Sequence, residues 1–179
     1  MKTNHIIVLA ISMLMAACNG EKLSSAQALD IVRSQTGYPK TFDHTIHTLS
    51  SESVNQLQNA GLDSKGYVTI IRETGATIGK PLVLFTDKSK PMLIETSMDD
   101  KNEGVQRVKV ADTDLDKISS LKQSEDGKHA RVEYTLIHKN VTPFSALVNR
   151  DFTKQDTRVI YLVKNGDKWE TDKNQNWDL

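Results

Sequence analysis

Asp112, Asp114 and Asp116 place three carboxylates at alternate positions. That spacing opens a calcium-binding loop, where oxygen ligands recur at every second residue. The rest of such a loop is missing here. Lys117 stands where the turn needs glycine, and Gln123 where a bidentate glutamate is needed. The three aspartates therefore read as a solvated turn or a helix start, and no metal is expected. His44, His47, His129 and His138 are the histidines beyond the first few residues. On a strand, His44 and His47 point to opposite faces, because three residues is an odd offset. On a helix they share a face but lack the i, i+4 spacing of a zinc-binding pair. All four read as edge or surface histidines. Asp43 beside His44, and Glu133 with its neighbours, could pair in space, which spacing alone does not decide. No Gly-x-Ser-x-Gly elbow, phosphate-binding glycine loop or dinucleotide glycine pattern occurs. No catalytic, cofactor-binding or metal-ligating residue is assigned, and the chain reads as a non-enzyme. Asn140-Val141-Thr142 fits a glycosylation acceptor and reads as a chance match.

Cys18 is the single cysteine, so an internal disulfide cannot form. Its setting is informative. Lys2 opens the chain, residues 6–15 are an almost unbroken apolar run, and Ala16 and Ala17 precede the cysteine. A basic start, a short apolar stretch and a small-residue exit are the three parts of a secretory signal. The run is shorter than the ~20 residues a helix needs to cross a bilayer. The other readings are an uncleaved anchor or a buried core helix.

Met15-Ala16-Ala17-Cys18 resembles the lipobox of bacterial lipoproteins, with Met15 in the place usually held by leucine. The resemblance covers residues 1–18. It implies a diacylglycerol on the Cys18 sulfur, cleavage between Ala17 and Cys18, and acylation of the new amine. Several acyl chains suffice for stable anchoring, at about 0.8 kcal/mol per buried methylene. Asn19 stands where the enterobacterial sorting rule that it resembles places aspartate for inner-membrane retention. Asn19 thus implies the outer membrane, facing the periplasm, in a Gram-negative host. On this reading residues 1–17 are the signal, 18–24 a lipidated tether, and 25–179 one periplasmic domain.

The elements of that domain are marked by periodicity and punctuation. Charged residues balance at 23 against 23, and removing residues 1–17 takes away one lysine and no acid. With no basic excess, nucleic acid is not an expected partner. Ser24 or Ser25 caps a helix to Thr36, with Ala26, Leu29, Ile31 and Val32 on its apolar face, stopped by Gly37. Residues 41–49 read as a strand. Residues 52–59 form a second helix, with Val54, Leu57 and Ala60 inward. Strands come next over 66–72, 81–86 and 91–96, with a hairpin turn at 87–90 between the last two. The polar stretch 97–104 is the place for any subdivision. Residues 105–110, 130–138 and 158–163 read as further strands. Ala130, Val132, Tyr134 and Leu136 lie on one face of the second of these, with Arg131, Glu133 and Thr135 on the other. Asn165-Gly166-Asp167 makes a tight turn into Trp169. The whole predicts an α+β fold, short N-terminal helices followed by a mostly antiparallel sheet.

Residues 130–169 are similar to the last strands of cystatin-like or nuclear-transport-factor-like sheets. Residues 52–86 loosely resemble the end of a winged helix, which without a basic surface implies a scaffold. Trp169 is expected in the core, and Trp177 either docks on the domain or meets a partner. Together these features point to a lipid-anchored binding or scaffold module with an envelope protein partner. The alternatives are an envelope hydrolase with an unrecognised site, or an inhibitor or exclusion lipoprotein using residues 140–156 as its contact surface.

Overall fold

Ser24 opens the first helix with a reciprocal cap. Its hydroxyl accepts from the Gln27 N–H, and the Gln27 side chain accepts from the Ser24 N–H at 2.9 Å. Two otherwise orphaned donors are satisfied this way. Helix α1 (Ser25–Thr36) ends at Gly37, whose left-handed backbone (φ 69°) donates to the Arg33 carbonyl. Ala28 and Val32 are its fully buried residues, while Ala26, expected inward, is exposed. The structure, a computed structural model, describes residues 22–72 and 79–173. The signal and lipobox with Cys18, and Trp177, lie outside the described residues.

The chain continues through β1 (Lys40–His47), α2 (Ser51–Asn59), β2 (Val68–Ile70) and β3 (Val83–Phe85). Then come β4 (Leu93–Ile94), α3 (Met98–Asn102), β5 (Val105–Gln123) and β6 (His129–Lys139). Strands β7 (Asp156–Asn165) and β8 (Lys168–Thr171) complete it. The fold is α+β and mostly antiparallel sheet. It departs from a simple order of helices before strands. Strand β1 separates α1 from α2, where a strand over 41–49 was expected, and the added helix α3 joins β4 to β5, its antiparallel neighbour. The segment 97–104, expected as a polar break, thus contains a helix.

One curled sheet runs β1-β5-β6-β7-β8, with β4 also pairing β5. Strand β5 spans 19 residues, far longer than the short strand expected from residues 105–110. Its register slips opposite Phe42/Asp43 on β1, and again on both sides of Ile118 against β6. Each slip inserts an extra residue, which bends the strand and sharpens its twist. Bending lets one strand serve two apolar clusters. Leu115 of β5 joins α1, β6 and Leu162 of β7 in one of them. Val108 and Val110 join Ile46, Leu57, Leu62, Val68, Val83 and Phe144 in the other. Strands β2 and β3 pair with each other in a separate small sheet. Residues 87–90 are therefore no hairpin turn: β3 pairs backward to β2 while β4 goes forward to β5. The two apolar runs are adjacent in sequence, but each pairs with a strand elsewhere.

Gly104 and Gly66 both adopt positive φ, at 73° and 76°. Their surroundings differ. A Cβ on Gly104 would lie 2.5 Å from Leu49 Cγ, whereas nothing lies within 4 Å of one on Gly66. Gly66→Ala is expected to cost about 1–2 kcal/mol through backbone strain alone. Gly104→Ala should cost at least about 1 kcal/mol more, from the added crowding. Urea unfolding of both variants checks this; equal losses would mean that Leu49 simply turns away.

Candidate functional site

Antiparallel pairing of β5 with β6 sets Thr113 opposite His138. The Thr113 hydroxyl lies 3.0 Å from His138 Nδ1. The His138 side chain is completely buried, at 0% exposure, and its Nε2 is 3.7 Å from an Asp156 carboxylate oxygen. That is too far for a hydrogen bond, and Nε2 has no other partner. Asp156 begins β7 opposite Leu136, on the same side of the sheet as His138. Its carboxylate is held by the Arg150 guanidinium. Arg150 in turn lies over the rings of Phe42 and Phe152, at 5.3 and 5.8 Å. The Phe152 ring meets His138 edge-on at 5.2 Å.

Hydroxyl, imidazole and carboxylate are the group types of a nucleophilic triad. The geometry serves another purpose. Thr113 is buried, and its hydroxyl faces the interior of the domain. The Asp156 carboxylate is engaged by Arg150, so it does not orient the imidazole. Burial pushes the His138 pKa below its usual 6.5, and the Arg150 charge pushes the same way against a weaker opposing pull from Asp156. A neutral histidine is thus sealed between the two apolar clusters, where an imidazolium would be costly. His138 was expected at an edge or on the surface. The signal for burial was present: His138 continues the alternation of Ala130, Val132, Tyr134 and Leu136. Arg150 and Asp156 carried no such mark, since a long connection separates their positions from any periodic pattern.

The three aspartates are in mid-strand, not in a turn or helix start. They alternate with the buried Ala111, Thr113 and Leu115, so period-two patterning runs straight through them. Asp112 accepts from Lys109 at 2.6 Å and from the Asn140 amide at 2.8 Å. Asp114 accepts from Lys139 at 3.0 Å, and Arg33 of α1 lies 3.4 Å away. Asp116 accepts from Thr135 at 3.1 Å and Gln155 at 2.9 Å. The Lys109 hydrogen bond holds Asp112 below the usual carboxylate range, and the Lys139 hydrogen bond does so for Asp114. Asp112, Asp114, Lys139, Asn140 and Lys40 line a cavity of about 320 Å³. Asp112 and Asp114 there are already engaged by donors of the protein itself, so the cavity offers no free pair of carboxylates to a bare cation. Neither Thr113 nor His138 lines it.

The remaining singled-out residues are dispersed. Asp43 pairs with Arg107 at 2.7 Å instead of with His44. Burial lowers the His44 pKa, against a smaller upward pull from Asp43. His47 is exposed, and His129 is half-buried at the start of β6. Glu133 pairs with Arg131 on its own strand at 2.5 Å. Trp169 packs partly buried against the α1 cluster. With Leu23, Gln27, Asp30 and Lys164 it lines a second cavity of about 320 Å³. No family model, curated protein or solved structure matches this chain.

The His138 environment makes stability depend on pH. The folded-state pKa lies below the unfolded value, so the unfolded chain takes up the proton first. The stabilisation is present above the usual 6.5 and is lost as pH falls below it. The unfolding free energy should drop between about pH 7.5 and about pH 5. His138→Gln should flatten part of that drop and leave the share due to His44. Asp112 and Asp114 act only at lower pH, below their usual 3.8, so the two effects separate in denaturant titrations.

Proposed function

We propose that this protein is a lipid-anchored lipoprotein of the bacterial envelope, and that its domain is a binding or scaffold module instead of an enzyme. The observation that carries the anchor is the run from Lys2 through residues 6–15 to Met15-Ala16-Ala17-Cys18, ending on the chain's single cysteine. The start of the domain supports it. Only five residues beyond Cys18, Leu23 is already buried against Ala28 and Val32 of α1 and the β6 core. The apolar run is thus set directly before a folded domain, as a removable export segment would be. Among the described residues no helix is long and apolar enough to cross a membrane. Attachment through acyl chains would supply the affinity that the balanced surface charge does not.

The module reading is supported by the state of the charged groups. Asp112, Asp114, Asp116 and Asp156 are each engaged by donors of the same chain. The Thr113–His138 contact, beside the Asp156 carboxylate, is closed inside the core. Groups so satisfied rigidify a scaffold, whereas general acid–base work needs a titratable group open to substrate.

Intact-mass analysis of the membrane fraction tests the anchor. The expected mass begins at Cys18, carries added acyl chains, and disappears from the membrane in Cys18→Ser. An unmodified cysteine, or a membrane-bound chain that retains residues 1–17, would overturn the reading.

A further inference from the structure

We infer that the domain stands on the membrane by one particular rim, made from the tips of its two C-terminal hairpins, residues 124–128 and 165–168. This rests on the lipid anchor at Cys18 proposed above.

The root of the tether is fixed at that rim. Leu23 is buried, and its N–H donates to the Gln123 side chain at 3.0 Å, at the last residue of β5. Gln123 pairs with Ala130, Ala130 with Leu162, and Leu162 with Thr171. Residues 124–128 and 165–168 both project beyond this row, on the same side. The Lys164 N–H donates to the Lys128 carbonyl at 2.8 Å, which ties the two tips together.

The tether is too short to allow the opposite orientation. From Cys18 to Leu23 are five residues, which reach at most about 18 Å when fully extended. Strand β6 leads away from the rim over 11 residues. Its far end, at Lys139, lies about 30 Å from the rim at ~3.3 Å per residue. A tether of that reach cannot hold the far end against the lipid with the rim outward. Lying on its side is the remaining alternative; it would bring both ends of β6 equally close to the lipid, instead of the rim alone. Lys22, Lys122, Lys128 and Lys168 are exposed there, and Lys164 is half-buried beside them. Acids share the region in equal number: Glu125, Asp126 and Asp167 at the tips, Asp30 beside Lys164 and Asp167, and Glu170, which accepts from Asn165. One of these, Asp126, already accepts from Ser124 and from the Lys128 N–H. The rim is thus charge-balanced, and its place at the lipid follows from the short tether rooted there and not from charge.

Energy transfer in vesicles reads the orientation. A lipidated Cys18 has no free thiol, so Glu125→Cys at the rim and Ala146→Cys at the far end each accept a single fluorophore. Both positions are exposed. Full-length protein would be purified from membranes, its lipid confirmed by mass, and reconstituted in phosphatidylethanolamine–phosphatidylglycerol vesicles with acceptor-labelled headgroups. Transfer should be several-fold stronger from position 125 than from position 146. Equal or reversed transfer from protein of the correct lipidated mass would overturn the orientation and leave the anchor standing. A mass without lipid would overturn the anchor and this inference with it.

Discussion

Everything in this domain depends on the bending of β5. A strand of 19 residues cannot stay flat and still present one continuous face to two helices at different heights. The register slips against β1 and β6 resolve this by inserting extra residues where the curl is needed. Val108 and Val110 then meet α2 and the small β2–β3 sheet, while Leu115, Ile118 and Leu121 meet α1. Loss of the curl would separate the clusters. Each would be left as a small core with an open side, and small cores are marginal.

The bend also explains the polar group inside. Between the two clusters the sheet's inner face carries Thr113 and His138, covered by Phe42, Phe152 and Arg150 rather than by a helix. An unsatisfied imidazole nitrogen in such a place costs about 1–3 kcal/mol. Edge-on aromatic contacts and the Thr113 hydrogen bond offset part of that. Asp156 and Arg150 complete the seal by neutralising each other. The seam is thus a polar strip between two apolar clusters, and protonation of His138 would strain it.

Local punctuation was readable in the sequence. The α1 cap at Ser24, its stop at Gly37, and the turn into Trp169 are set by residue chemistry within a few positions. Strand β6 was legible because its alternation is clean over residues 130–136. Strand β5 was not, because its bulges shift the phase and three aspartates fall on its second face. Carboxylates at alternate positions look like a turn until Lys109, Lys139 and Arg33 arrive from elsewhere in the fold to engage them. The same holds for the pairing of β2 with β3, which joins segments well apart in the chain, Val68–Ile70 and Val83–Phe85, and leaves the turn after β3 out of any hairpin. His138 stood in phase with the buried face of β6, but histidine is too rarely buried for its phase alone to be trusted. The proposed N-terminal signal rests on composition and order alone, features that involve no tertiary partner.

Anchoring at the rim would decide which surface is left for recognition. The cavity beside Asp112 and Asp114, and the connection from Asn140 to Gln155, are at the opposite end of β6 from Leu23. In an anchored domain they would face away from the lipid. Phe144 and Phe152 pin that connection to the core, so its exposed residues are presented on a fixed frame and not on a loose loop. Its neighbouring charges are largely paired: Lys109 with Asp112, Lys139 with Asp114, Arg150 with Asp156. Long-range electrostatic steering from such a surface would be weak. Recognition there would rest on contact geometry, and the two-dimensional confinement of the anchor would have to supply the encounter rate that charge does not.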